Sequence, residues 1–180
     1  MLYTYEQCLK GYKTDYQIKK QISVGQLFKI ETGIYSDEQY VPEIAVISFK
    51  YPYGIISMNS AFYYHGLTDT IPTKYYLTTG KDCSKIRDKR VKQNFENSAY
   101  LELGEEEVVV DGASVKMYSK ERMLVELARS KAKFPFDYYK ELISSYRKII
   151  NNLDIQAVQE YAYLLPKTNM VIETLELEVF

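Results

Sequence analysis

The sequence predicts a mixed α+β fold: an N-terminal winged helix-turn-helix, followed by a mixed domain with a small β-sheet and a C-terminal helical layer. Apolar residues recur at helical spacing along much of the chain, Gly-containing turns separate pairs of β-prone runs, and helical patterns dominate the last third. The 180 residues leave room for a module of about 50 residues and a domain of about 130. We therefore predict domains at 1–50 and 51–180.

The order of elements in the first 35 residues is helix, tight turn, helix and hairpin. Thr4 is a candidate N-cap for the first helix, and Gly11 lies where a tight interhelical turn is expected. The second helix, from Thr14 to Ser23, carries Ile18 in its apolar seam. Two short β-prone runs with a Gly-containing turn then fill Leu27 to Tyr35. This order predicts a recognition helix over Thr14 to Ser23 and a wing over Leu27 to Tyr35.

The rest of the chain predicts further helices and short strands. Helices are expected after Pro42, Ser57, Ser119 and Asp154 and from near Asp137 and Thr168, and strands over Lys74–Thr79, Tyr100–Leu103, Glu106–Val110 and Ser114–Tyr118. Residues 81–98 are basic and polar, and their apolar residues recur at no regular spacing. His65 precedes a helix-ending Gly, where an imidazole is expected to bond the last helix carbonyls.

Charge is distributed unevenly although the formal net charge is only −1. Residues 1–35 carry +2 and residues 81–100 carry +3, whereas 36–80 carry −2 and 101–180 carry −4.

Cys8 and Cys83 are too few for a disulfide framework or a zinc site. Because the N-terminus lacks an apolar leader pattern and no long apolar run occurs, a cytoplasmic location without membrane contact is expected.

A recognition helix needs polar groups that face base edges and cations that contact phosphates. The candidate DNA-binding residues are Lys13, Thr14, Tyr16, Gln17, Lys19, Lys20 and, on the wing, Lys29. An ordinary solvated helix face would show a similar composition, so the order of the elements carries the DNA-binding interpretation.

A second basic run occupies the middle of the chain. Candidate contacts for a partner or a nucleic acid are Lys85, Arg87, Lys89 and Arg90, with Arg122 as a further candidate. A mobile basic loop is the alternative interpretation of the run, and Arg122 also fits a structural ion pair at the edge of the core.

Residues for catalysis or cofactor binding are not evident. His65 is the single histidine, and the chain has no P-loop, GxGxxG, GxSxG or HExxH motif. We therefore expect no enzyme activity, no metal site and no cofactor.

Several segments together resemble a known family. They are Tyr16-Gln17-Ile18, Gly25-Gln26-Leu27-Phe28-Lys29-Ile30, Gly33-Ile34-Tyr35, Gly54-Ile55-Ile56-Ser57, Ser60-Ala61-Phe62, His65-Gly66-Leu67-Thr68-Asp69, Ile71-Pro72, Tyr76-Leu77-Thr78, Val115-Lys116-Met117-Tyr118-Ser119 and Glu121-Arg122-Met123-Leu124. The chain resembles the AbiEi antitoxins of bacterial abortive-infection (type IV toxin-antitoxin) systems, which are also described as transcriptional regulators of viral (phage) defence loci. The most specific part spans residues 54–79.

The resemblance implies an antitoxin and autorepressor that binds its own operator DNA. It also implies that the C-terminal domain counteracts a cognate nucleotidyltransferase-like toxin, by direct contact or indirectly. Members of that family often carry a further helix before the helix-turn-helix pair, whereas Thr4 here lies three residues after Met1. Another segment, such as a helix from Pro42 to Phe49, is then expected to cover Ile18 and Ile22.

Two rival functions remain at this point. The main one is a protein-interaction or scaffold module whose degenerate winged helix does not bind DNA. An enzyme acting on nucleotides is the more distant alternative, because no paired-carboxylate or phosphate-loop motif is present.

Overall fold

Two units make up the chain, an N-terminal unit, Met1–Tyr51, and a C-terminal unit, Pro52–Phe180. The structure, a computed structural model, describes residues 1–180. Nine α-helices and two small β-sheets are present, so the predicted mixed α+β fold is confirmed.

The N-terminal unit contains three helices and a three-stranded sheet. Its elements are β1 (Leu2–Thr4), α1 (Tyr5–Tyr12), α2 (Asp15–Ser23), β2 (Phe28–Glu31), β3 (Ile34–Ser36) and α3 (Glu43–Lys50). The strands are antiparallel in the order β1-β3-β2, with a register shift in the β2–β3 hairpin. Strand β1 was not predicted, because three residues are too few to show an alternating pattern.

Thr4 and Thr14 set the beginnings of α1 and α2. The Thr4 hydroxyl accepts a hydrogen bond from the Gln7 amide at 3.2 Å, and the Gln7 side chain accepts from the Thr4 amide at 2.7 Å. The Thr14 hydroxyl accepts from the Gln17 amide at 3.3 Å. The predicted turn at Gly11 is wrong: Gly11 lies inside α1, and Lys13, with a φ of 69°, makes the turn together with Thr14.

Ile18 lies at the centre of the core of the N-terminal unit. It packs in one buried cluster with Cys8 from α1, with Leu27, and with Tyr35 from β3. The partly buried residues Tyr3, Tyr12 and Ile22 pack against this cluster. The expectation that a helix from Pro42 covers the seam is therefore corrected, because α1 and the sheet supply the cover.

The C-terminal unit contains a five-stranded sheet and six helices. Its elements are β4 (Ile55–Ile56), α4 (Met58–Tyr64), β5 (Tyr75–Gly80), β6 (Val91–Glu96), α5 (Ser98–Leu101), β7 (Glu105–Val110), β8 (Ala113–Tyr118), α6 (Lys120–Arg129), α7 (Phe136–Ile149), α8 (Ile155–Leu164) and α9 (Thr168–Glu178). The strand order is β6-β5-β4-β8-β7. Strands β5 and β6 are parallel, as are β4 and β8, and the other neighbours are antiparallel.

Helix α6 is the central element of the C-terminal unit. Ser119 caps it by accepting a hydrogen bond from the Arg122 amide at 3.2 Å, as predicted. Residues 122–128 of α6 are all buried, so the helix is enclosed on every side. It packs on α4, α8 and α9, and these helices form a layer around it.

Two local predictions for the C-terminal unit are wrong, and one strand was not predicted. The predicted strand Tyr100–Leu103 is wrong, because residues 98–101 form α5, where the Asn97 side chain accepts a capping hydrogen bond from the Ala99 amide at 3.0 Å. Strand β6 lies within residues 81–98, whose apolar residues show neither helical spacing nor strand alternation. Ser57 precedes α4 but does not cap it, since its hydroxyl accepts a hydrogen bond from Thr78 at 2.8 Å.

Gly104 allows close packing of the chain against α6. Its φ is +74°, and a Cβ atom there would lie 2.6 Å from Arg122 Cβ. We expect Gly104→Ala to cost about 1–2 kcal/mol for the left-handed backbone plus about 1–3 kcal/mol for overpacking. Gly112→Ala is the matched control, because Gly112 has a φ of +83° but no neighbour within 4 Å. Urea unfolding measures both costs, and equal values would contradict the close packing.

Candidate functional site

The exposed side of α2 is the first candidate site. Ile18 is buried at 1% exposure, and Tyr16, on the opposite side of the helix, is 73% exposed. The residues that share this exposed side or its N-terminal margin are Lys13, Thr14, Tyr16, Gln17, Lys19 and Lys20, and we call them the α2 surface. All of these predicted DNA-binding residues are accessible.

The predicted cations of α2 differ in their partners. Lys19 pairs with Asp15 at 2.7 Å, and the hydrogen bond that its ammonium donates to that carboxylate raises the pKa of Lys19. The structure pairs neither Lys13 nor Lys20 with a carboxylate. A phosphate would therefore have to compete with Asp15 for Lys19. Lys13 and Lys20 could bind a phosphate without first breaking an ion pair.

Lys29 on the hairpin projects toward the same side of the sheet as α2. It lies directly opposite Tyr35 in the antiparallel β2–β3 ladder. Residues directly opposite each other in such a ladder share one face of the sheet. Because Tyr35 packs against Ile18 of α2, exposed Lys29 belongs to the sheet face on which α2 lies. The hairpin and α2 thus each carry exposed cations.

Acidic side chains of the N-terminal unit bond elsewhere. Asp37 pairs with the amine of Met1, which lowers the pKa of that carboxyl, and it accepts a hydrogen bond from the Tyr3 hydroxyl at 3.1 Å. Glu31 pairs with Lys50 at 3.4 Å. These carboxylates leave Lys13, Lys20 and Lys29 without an acidic partner.

Residues 81–90, the basic segment, connect the parallel strands β5 and β6. Lys85, Arg87 and Lys89 are exposed, as a contact with an anionic partner requires, while Arg90 bonds Asp88 with both Nε at 3.0 Å and Nη2 at 2.7 Å. Of the four cations predicted there as contacts, Arg90 is thus the least available.

Gln93 anchors the basic segment to the sheet. Its Oε1 atom accepts a hydrogen bond from the Ile86 amide at 2.8 Å, and its Nε2 atom donates to the Ser84 carbonyl at 3.2 Å and to Thr79 at 2.8 Å. This role of Gln93 could not be predicted from the sequence, because its bonding partners precede it by seven to fourteen residues. The segment is therefore tied to its flanking strands.

Arg122 does not face a partner, so its predicted contact role is corrected. The side chain is 0% exposed, and its guanidinium lies 4.8 Å from the Tyr118 ring centroid. It pairs with Glu126 at 2.8 Å and with Glu96 at 3.4 Å, and it donates to the carbonyls of Tyr100 and Leu103 at 3.2 Å. The alternative interpretation, a structural ion pair, describes this arrangement.

A second arginine completes a compact ionic group. Arg129 pairs with Glu126 at 2.9 Å and with Glu96 at 3.3 Å. We call Arg122, Arg129, Glu126 and Glu96 the Arg–Glu cluster. The spacing of the three α6 residues indicates one helix face, but Glu96 lies on the unpredicted strand β6, so the sequence analysis missed the cluster.

His65 makes a structural hydrogen bond to another element. Its Nε2 atom lies 2.7 Å from the Tyr118 carbonyl of β8, to which the neutral ring donates. The predicted bond to the carbonyls of its own helix is therefore wrong. Burial lowers the pKa of His65 below its usual 6.5.

The lowered pKa of His65 predicts a pH-dependent stability. The buried neutral ring favours the folded state above pH 6.5, and this contribution is lost as the pH falls through the lowered pKa, because the unfolded chain then binds a proton first. The difference in free energy of unfolding between the wild type and His65→Gln should therefore shrink between pH 7.5 and pH 5.5. No other histidine titrates in that range. Urea unfolding across this pH range measures the difference, and a constant value would contradict the prediction.

Comparisons with known proteins give a structural likeness alone. No protein-family profile matches the chain, and no curated protein matches it. The crystal structure of the RV2827C protein from Mycobacterium tuberculosis is similar, with a TM-score of 0.60 and 14% sequence identity over 98% of this chain and 71% of that chain. At this identity the likeness concerns the fold.

Two further findings concern membrane-spanning helices and metal-binding groups of side chains. None of its helices is both long enough and apolar enough to span a membrane. No group of three or more His, Cys, Asp or Glu side chains is arranged to hold a metal ion.

Proposed function

We propose that this protein is a DNA-binding repressor whose N-terminal unit is a winged helix. Helix α2 is the recognition helix and the β2–β3 hairpin is the wing. The observation that carries the proposal is the placement of Lys29 on the sheet face that packs α2, together with the exposure of Lys13 and Lys20. Exposed cations on a helix-turn-helix and on its hairpin suit contact with the phosphate strands that border a major groove.

In the proposed complex the residues of the α2 surface have two roles. Thr14, Tyr16 and Gln17 lie in or just before the first turn of α2, the part of a recognition helix that meets base edges. Lys13, Lys20 and Lys29 contact phosphates and fix the register of the helix on the duplex. Lys19 reaches a phosphate only when it leaves Asp15.

A gel-shift titration of the full chain tests the proposal. The DNA is the region upstream of the protein's own reading frame, and a shuffled duplex of equal length and composition is the control. A repressor shifts the upstream DNA at a concentration at least about a thousandfold lower than the shuffled duplex at physiological salt. Equal shifts of the two duplexes, or no shift, would refute specific DNA binding.

A second function, antitoxin activity of the C-terminal unit, is proposed from the resemblance of residues 54–79 to the AbiEi family. Its target would be a cognate nucleotidyltransferase-like toxin, and exposed Lys85, Arg87 and Lys89 suit contact with an acidic surface or nucleic acid. Co-expression with a neighbouring gene for such a toxin should restore growth. Continued growth arrest would contradict the antitoxin role.

The rival to DNA binding is a protein-interaction module. The feature in its favour is the balance of charge in the N-terminal unit, which holds six basic and six acidic residues. A basic excess is typical of DNA-binding domains. The gel-shift titration separates the two functions, because an interaction module shifts neither duplex.

A further inference from the structure

A cavity in the C-terminal unit opens beside the Arg–Glu cluster. Its volume is about 380 Å³, within the range of small-molecule sites. One wall is formed by one face of the sheet, at its β5–β6 edge. There Tyr76 lies beside Lys92, and Thr78 lies beside Asn94, in the parallel β5–β6 register. The opposite wall is α6 and the segment that follows it to Pro135.

The side chains that line this cavity carry a net positive charge. Arg122 and Arg129 are neutralised by Glu96 and Glu126. The remaining charged groups in the lining are the ammonium groups of Lys92 and Lys133, and the structure pairs neither with a carboxylate. Lys92 lies over the Tyr76 ring, with Nζ 5.0 Å from the centroid. An anionic group is therefore the complement of this cavity.

Asn94 adds an unused hydrogen-bond donor. Its Nδ2 atom is buried and has no acceptor. A buried donor without an acceptor destabilises the folded protein unless a ligand or water bonds it. Asn94 lies two residues from Lys92 on β6, so the two side chains project from the same face. Asn94 thus lies on the wall that also carries the Lys92 ammonium.

Backbone strain also occurs at the cavity wall. Met58, which lines the cavity, has a φ of 48°, a conformation that residues other than glycine rarely adopt. Strain of this kind is common where a ligand is held.

We propose that this cavity binds a small organic phosphate. The phosphate group lies between the side chains of Lys92 and Lys133, and Asn94 donates to an oxygen or nitrogen atom of the organic part. Nucleoside monophosphates and sugar phosphates share this chemistry and suit the volume. The proposal concerns the C-terminal unit alone and does not depend on DNA binding.

Isothermal titration calorimetry of the full chain tests the proposal with adenosine 5′-monophosphate and ribose 5-phosphate as separate probes. At least one probe should bind, and the tighter one identifies the class of the organic part. Lys92→Ala and Lys133→Ala should each weaken binding by about tenfold or more, as expected for a lost charge-assisted contact. Lys140→Ala, which removes an exposed cation outside this cavity, is the control and should leave binding unchanged.

Asn94→Leu separates a ligand site from a structural one. Without ligand the variant should melt at a higher temperature than the wild type, because an unsatisfied buried donor is removed. With ligand it should bind more weakly. Absence of binding by both probes at millimolar concentration would overturn the proposal, as would binding that the Lys92, Lys133 and Asn94 variants leave unchanged.

Discussion

Replacing Arg122 with alanine is expected to lower the free energy of unfolding of the C-terminal unit by about 3–5 kcal/mol. The guanidinium is fully buried, and its loss leaves Glu96 and Glu126 with Arg129 as their single cation. The carbonyls of Tyr100 and Leu103 also lose their donor. The cost therefore comes from the charges and acceptors that stay behind in the interior.

Urea unfolding of the full chain measures this cost, and Arg87→Ala is the matched control because Arg87 is exposed. The control should change the free energy of unfolding by less than about 0.5 kcal/mol. The double variant Arg122→Met with Glu126→Leu should cost less than Arg122→Ala, since Arg129 and Glu96 remain as a neutral pair. A loss below about 1 kcal/mol for Arg122→Ala would contradict the importance of the cluster.

Under the proposal that α2 is a recognition helix, replacing Gln17 with alanine is expected to relax the DNA sequence preference of the full chain. Gln17 is exposed near the beginning of α2, where a carboxamide can bond a base edge with both its donor and its acceptor. Loss of one such contact costs about 1–3 kcal/mol on the preferred duplex and little on a shuffled one. Fluorescence anisotropy with both duplexes measures the ratio of the two affinities.

Gln21→Ala is the control for Gln17→Ala because it makes the same chemical change on the same helix. Gln21 is half-buried and lies toward the core side of α2. Its replacement should leave the affinity ratio unchanged. If Gln17→Ala and Gln21→Ala behave alike, Gln17 does not contact a base.

The arrangement of the N-terminal unit could be predicted in part because it depends on local interactions. Thr4 and Thr14 cap helices through bonds to residues three positions away, and a pattern of that range is visible in the sequence. The turn was misplaced because Gly11 is tolerated within α1, while Lys13 adopts the positive φ that favours glycine. Strand β1 depends on pairing with β3, more than thirty residues away, which no local pattern shows.

The predictions for the C-terminal unit failed where distant residues decide the structure. Strand β6 is held by parallel pairing with β5, so its own residues need no clear alternation. The basic character of Arg122 suggested a surface contact, but Glu96, twenty-six residues before it, makes a buried ionic group possible. His65 likewise bonds a carbonyl fifty-three residues away. Side-chain type therefore indicates several of the helix caps, such as Thr4, Thr14 and Ser119, but it does not indicate burial.

The salt dependence of DNA binding by Lys20→Ala tests the central claim most directly, namely that α2 is the recognition helix of a winged helix. Affinity for the upstream duplex is measured by fluorescence anisotropy over a series of salt concentrations, for the wild type, Lys20→Ala and the control Lys140→Ala. We predict that Lys20→Ala binds more weakly and reduces the slope of log affinity against log salt by about one, while Lys140→Ala keeps the wild-type slope. A Lys20→Ala slope and affinity equal to those of the wild type would contradict the claim.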